Sequence, residues 1–183
     1  MIDDLSTLIQ ARYPLIFLKT WEEARACGAV RDAAARERLP FLTWSLTEGL
    51  RADGRSDGVY DTAKPAGVLA HILKAQLEAV YLLKDFHAHL EDPAHLRMVR
   101  EIAMLPREGR PVLVLCGPDG QVPNALEKDA IQYDFAPPAR EELLKLVQQC
   151  ARDVQNRCRA VQVTLTRPEL DQLVSHLEVM TFG

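Results

Sequence analysis

The sequence predicts a three-layer α/β domain, a parallel sheet of about five strands, followed by a small helical tail. Three observations carry this expectation. Apolar runs of strand length recur at Leu15–Leu18, Phe41–Leu46, Val80–Leu83, Val112–Cys116 and Ile131–Phe135. The runs are continuous rather than alternating, as strands covered on both faces are. Segments of helical period lie between them, and helical period dominates after Pro137-Pro138. The expected division is residues 1–136 for the α/β domain and 137–183 for the tail.

Residues 2–11 place Ile2, Leu5, Leu8 and Ile9 on one helical face, with Asp3 and Asp4 at the favourable end of the helix dipole. Tyr13-Pro14 ends that helix and Leu15–Leu18 is the first strand. Thr20-Trp21-Glu22-Glu23 follows directly and reads as a capping box for a helix over Ala24–Arg38. Pro40 opens the second strand, in which Trp44 is expected to lie under a helix. Residues 48–64 are rich in Gly, Asp and Arg without periodicity and read as a long, mobile loop.

Pro65 starts a helix whose apolar side is Val68, Leu69, Ile72 and Leu73, with Gln76 on the same side. After the third strand, Asp92-Pro93 caps a helix with Leu96, Val99, Ile102 and Ala103 on its core face. Val112–Cys116 is the fourth strand, and Gly117-Pro118-Asp119-Gly120 turns the chain. Ile131–Phe135 is the fifth, and a helix runs on to about Asp153. A short extended piece, Val161–Leu165, precedes a second capping box, Thr166-Arg167-Pro168-Glu169, and a last helix with Leu170, Leu173, Val174 and Leu177. The ending Met180–Gly183 is apolar and uncapped, and reads as a cut or as the edge of a longer protein.

The chain has 183 residues, 48% hydrophobic and 26% charged, with a net charge of −4. That is an ordinary globular composition with material for a real core. The acidic balance and the lack of a basic run argue against nucleic acid as a partner. No apolar stretch reaches the roughly 18 residues of a membrane span, and the acidic start argues against a targeting peptide. Cys27, Cys116, Cys150 and Cys158 form no Cys-x-x-Cys pair and read as reduced thiols of a cytoplasmic protein.

Chemistry is expected where the third strand ends, in Lys84-Asp85-Phe86-His87-Ala88-His89, because α/β sheets bind at the carboxyl ends of their strands. Asp85, His87 and His89, with Asp92 and His95 nearby, are suitable metal ligands. They share a face only if the strand continues through Phe86–Leu90, and no second ligand cluster appears. A polar strand end is the plainer account. A metal-assisted hydrolase or transferase using Asp85 with His87 or His89 stands as the alternative function. Cys116 has no cationic neighbourhood in the sequence and reads as a small buried hydrophobe.

Several short motifs together carry a family resemblance. They are Ala11-Arg12-Tyr13-Pro14-Leu15-Ile16 running into Thr20-Trp21-Glu22-Glu23, Trp44-Ser45, Leu83–His87 with Leu90–Pro93, Arg110–Leu115, and Pro137–Leu143. The chain resembles the AAA+ ATPases, and most of all the amino-terminal, degenerate ATPase-like domain of Ycf46-type AAA proteins. The resemblance implies a RecA-like, P-loop-type sheet with a lid-like helical tail.

The resemblance also implies which parts of the ATPase machinery are missing. Thr20-Trp21-Glu22-Glu23 stands where the phosphate loop would be. Asp85 matches the magnesium-binding acid, but Phe86 takes the place of the water-activating glutamate. Cys116-Gly117 replaces a polar sensor, and Lys128 is the nearest cation to a trans-acting arginine. Tyr60, in the connection that carries a pore loop in ring-forming relatives, is either its counterpart or part of a plain surface loop; the plain reading is adopted. The expectation is a catalytically inactive, regulatory domain with no cofactor. Its partner would be a protein: an AAA+ ATPase module in the same or another chain, or a second copy. Asp85, Phe86, His87 and Tyr60 are the expected partner surface.

Overall fold

A computed structural model describes residues 2–55, 57–119, 121–136, 138–157 and 166–181, with side-chain surroundings given between Leu5 and Leu177. Val161–Leu165 and Cys158 lie outside the described residues. The elements are α1 (Ile2–Gln10), β1 (Leu15–Lys19), α2 (Glu23–Arg36), β2 (Phe41–Ser45), β3 (Gly49–Ala52), α3 (Pro65–Ala75), β4 (Val80–Lys84), α4 (Pro93–Ala103), β5 (Val112–Gly117), β6 (Ala130–Asp134), α5 (Arg140–Arg157) and α6 (Arg167–Thr181).

The strands form one six-stranded sheet in the order β3-β2-β4-β5-β1-β6. All neighbours are parallel except the hairpin of β2 with β3. Side chains alternate between the two faces, and each face has its own core. Leu15, Phe17, Tyr81, Leu83, Leu113 and Leu115 join α3 and α4 residues such as Val68, Ile72, Val99 and Ile102. Ile16, Leu18, Val80, Leu82, Val112 and Val114 join Leu5 and Ile9 of α1 and Ala26 and Val30 of α2. Each fully buried Leu, Ile, Val or Phe contributes about 1.5–3 kcal/mol. Continuous apolar strands are therefore stable only with helices on both sides, which is the expected three-layer arrangement.

The sixth strand corrects the count of five. Gly49–Ala52 falls in the segment read as a mobile loop, and it pairs antiparallel with β2 from Leu42↔Ala52 to Ser45↔Gly49. Only Gly49 and Leu50 of the four are buried, so the stretch shows no strand-like pattern. Gly49 enters the strand at φ 68°, a conformation that costs glycine little.

The remainder of 48–64 is tied back onto this hairpin. The Val59 amide donates to the Leu50 carbonyl at 2.7 Å. The Thr62 hydroxyl accepts from the Leu50 amide at 2.9 Å and donates to the Val59 carbonyl at 2.6 Å. The Trp44 indole donates to the Thr62 carbonyl at 2.6 Å. Thus Trp44 is buried as expected, but held by this segment and by Phe86. Gly67, in the first turn of α3, abuts the Asp61 carbonyl so closely that any Cβ would overlap it. The helix stops at Ala75, with Gln76 in the left-handed region.

The chain divides into two compact units, Met1–Phe135 and Ala136–Gly183. In the second, α5 packs on α6, and Leu143 and Val174 are buried. Arg140 meets the Asp171 carboxylate at 3.1 Å, and the Glu169 carboxylate accepts the Thr166 amide at 2.9 Å, the reciprocal half of the capping box.

Thr62 is 1% exposed and satisfies a buried backbone amide. Thr62→Ala is expected to cost about 1–3 kcal/mol by leaving that amide unpaired. Thr62→Ser, which keeps the hydroxyl, should recover most of the loss. Urea unfolding of the two variants measures the difference.

Candidate functional site

The carboxyl ends of three neighbouring strands create the site. Register sets Lys19 of β1 beside Gly117 of β5, and Cys116 beside Lys84 of β4. Backbone pairing continues past these ends: the Thr20 amide donates to the Gly117 carbonyl at 3.1 Å, and the Asp85 amide to the Cys116 carbonyl at 2.8 Å. Only Thr20-Trp21-Glu22 separates β1 from α2.

The capping box expected there does not form. The Thr20 hydroxyl accepts from the Glu22 amide at 3.0 Å, not from Glu23. Glu22 makes no side-chain cap; its carboxylate holds Arg25 at 2.6 Å. Glu23 extends across to the Lys84 ammonium at 2.9 Å. A full charge on β4, two strands along from β1, outcompetes the Thr20 amide, which already serves Gly117. Lys84 is correspondingly held above the usual ammonium range: burial opposes this, but the Glu23 hydrogen bond and charge prevail.

Asp85 adopts φ 53°, which ends the strand, and Phe86–His89 form one 3-10 turn. The condition for Asp85, His87 and His89 to share a face is therefore not met. The His87 ring lies over Gly117, where a Cβ would overlap it, and its Nδ1 is buried without a partner. His89 turns away to join Trp44, Phe86 and His95, with ring centroids 6.1, 5.7 and 6.5 Å apart respectively. Asp92 caps α4, its carboxylate accepting from the Ala94 amide at 2.8 Å. Among the described residues, no three His, Cys, Asp or Glu side chains converge as a metal would require.

Phe86 is fully buried, packed edge-on against Trp44 at 5.2 Å. This corrects its assignment to a partner surface. The 3-10 turn points it inward, where the ring completes the core under β2 and β4. Tyr60 is 95% exposed on the tied-back segment, and Lys128 is exposed beyond a short turn before β6.

A small cleft of about 180 Å³ opens at these strand ends, lined by Thr20, Trp21, Glu23, Asp85, Cys116, Gly117 and Pro118. Trp21 is 82% exposed at its rim. In the sequence Trp21 stands out only as part of the Thr20-Trp21-Glu22-Glu23 motif. Its signal was available: a large aromatic in a three-residue connection has nowhere to go but outward. Burial, with the nearby Glu23 and Asp85 carboxylates, pushes the Cys116 thiol up to about 12. That fits the small buried hydrophobe expected of it.

Comparison with known proteins bears on this arrangement. Residues 1–135 match the family model for the SpoVK-like AAA ATPase, N-terminal domain. The chain belongs to this family. It is 29% identical over 147 residues to an uncharacterized AAA domain-containing protein ycf46 of Guillardia theta, covering 79% of this chain and 29% of that protein. A second ycf46 protein, from Trieres chinensis, is 26% identical over 144 residues, again covering 29% of its length. The chain thus spans under a third of these relatives, and the resemblance to Ycf46-type proteins holds over most of it.

Among solved structures, a chain of the E. coli MS115-1 HORMA:CdnC:Trip13 complex aligns over 90% of this chain and 58% of its own, with a TM-score of 0.55 and 16% identity. C. elegans PCH-2 aligns over 91% of this chain and 49% of its own, with a TM-score of 0.55 and 9% identity. At such identities the likeness speaks for the fold. None of the described helices of this SpoVK-like domain is long and apolar enough to cross a membrane.

Burial also pushes the Tyr81 phenol up to about 12. Tyr81 and Cys116 therefore keep their protons in the folded domain after the unfolded chain, with its ordinary values of 10.0 and 9.0, has lost them. The stability held by these neutral groups is complete below about pH 9 and lost as pH rises towards about 12. Urea midpoints should fall steadily above about pH 9, and Cys116→Ala should flatten the earlier part of the fall.

Proposed function

We propose that this SpoVK-like N-terminal domain is a catalytically inactive ATPase-like fold that serves as a protein-interaction and regulatory module. The observation that carries the reading is the β1–α2 junction. A phosphate-binding helix needs bare amides at its start and a loop with room for the anion. Here the Glu22 amide is taken by Thr20, and Glu23 adds a carboxylate to the first turn. The Thr20 amide is spent on the sheet.

Phosphoryl transfer rests almost entirely on positioning and charge stabilisation. Asp85 remains where a magnesium acid would stand, but it has neither a phosphate loop opposite nor a carboxylate beside it, since Phe86 is in the core. The domain therefore neither hydrolyses ATP nor needs a cofactor. The diverging histidines remove the geometric basis of a metal-assisted hydrolase.

The partner in this reading is an AAA+ ATPase module, in the same longer polypeptide or in another chain. The relatives that support it are AAA domain-containing proteins of which this chain matches 29%. The contact surface is the carboxyl edge of the sheet, around Trp21, Asp85 and His87. Nucleic acid and membranes are not partners, and the setting is cytoplasmic, where the free thiols Cys27, Cys116 and Cys150 stay reduced.

Isothermal titration of ATP and ADP, each with magnesium, into the purified chain tests the reading. The expected result is no heat at millimolar nucleotide. Binding at micromolar strength would overturn it and make Asp85 a working magnesium ligand.

A further inference from the structure

The cleft at the strand ends is suited to a cation. We infer that it accepts one arginine side chain presented by a partner protein. The inference rests on the reading of the domain as a nucleotide-free interaction module and supplies the chemistry of what it binds.

Size is the first argument. The cleft holds about 180 Å³. Pockets for drug-sized ligands run to about 300–1,000 Å³, whereas an engineered cavity of about 150 Å³ takes a single benzene. One planar group fits, and a nucleotide does not.

Charge is the second. Glu23 and Asp85 are the acidic side chains of the lining, which includes no Lys or Arg. Lys84 reaches Glu23 from outside the lining at 2.9 Å and neutralises it. The Asp85 carboxylate has no hydrogen-bond or ion-pair partner among the described residues, although the backbone of Asp85 is paired. One uncompensated carboxylate therefore faces the cleft.

The rim supplies the third. Trp21 exposes 82% of its surface beside that carboxylate. Indole is the best aromatic surface for a cation, and exposed tryptophans are frequent anchors of protein interfaces. Arginine is favoured over lysine by shape. A guanidinium lies flat on an indole while its edge donates to a carboxylate, and a compact ammonium cannot do both. Trp21 and Asp85 both line the cleft, so a guanidinium held there has an indole and a carboxylate to use.

The test is a nuclear magnetic resonance titration of the full chain, following its two indole N–H signals. Trp44 is buried and acts as the internal control, whereas Trp21 reports the cleft. The probes are N-acetyl-arginine amide, its neutral isostere N-acetyl-citrulline amide, magnesium chloride and Mg-ADP. The expected result is a saturable shift of the Trp21 signal with the arginine probe at millimolar concentration and none with citrulline. Asp85→Asn should weaken that binding about fivefold, the upper end for an exposed ion pair. Asparagine tolerates the left-handed backbone at this position, so the variant keeps the local fold.

Equal shifts with citrulline, no shift with arginine, or unchanged affinity in Asp85→Asn would each overturn the inference. So would a response to magnesium alone without one to arginine, or a Trp21 signal that moves with protein concentration before any probe is added, which would indicate a second copy in the cleft. Mg-ADP separates the two levels. A Trp21 shift with Mg-ADP sinks the nucleotide-free reading itself, whereas silence towards both Mg-ADP and arginine sinks only the arginine inference.

Discussion

The parallel pairing of Leu15–Lys19 with Val112–Gly117 is the constraint on which the rest of the molecule depends. These central strands are buried on both faces, so helices must cover both sides, and α1 with α2 and α3 with α4 do so. The pairing also runs one residue further than the strands themselves, through the Thr20 amide. That extra hydrogen bond holds the chain against β5 at the start of the β1–α2 connection. The three-residue junction, Glu23 and the cleft lie directly beyond it.

Much of this architecture was legible in the sequence, for a physical reason. A continuous apolar run is a strong signal because a strand buried on both faces admits few polar residues, and each of the five expected strands lies within two residues of its predicted bounds. Gly49–Ala52 was not legible because an edge strand buries little, and only its pairing partner reveals it. Side-chain competition was equally hidden. Thr20 and Glu23 have capping-box spacing, but nothing local announces that Lys84 stands within reach of Glu23.

The site was legible in part. The position of Asp85 at a strand end followed from fold logic, as did the crowding of polar residues after it. Which way those residues point did not, because that depends on a single backbone angle. With Asp85 at φ 53°, Phe86 goes into the core, His87 over Gly117 and His89 into the aromatic group around Trp44. A stretch that looks like a ligand set when written out becomes three separate structural roles. Trp21, by contrast, lies at the surface because the connection it belongs to is too short to fold over it.

The strand order has a further consequence for how the chain reaches this state. β1 is synthesised first, yet its partners are β5 and β6, the last strands of the sheet to be made. Until Val112–Gly117 has been made, Leu15–Leu18 has no strand to pair with. The β2–β3 hairpin and β4 are nearer neighbours in sequence, so their pairing closes shorter loops than the pairing of β1 with β5 and β6. One edge of this apolar segment can be covered only by β5 and the other only by β6, so both depend on pairings of long sequence separation, the kind that leaves an unpaired strand edge exposed longest during folding.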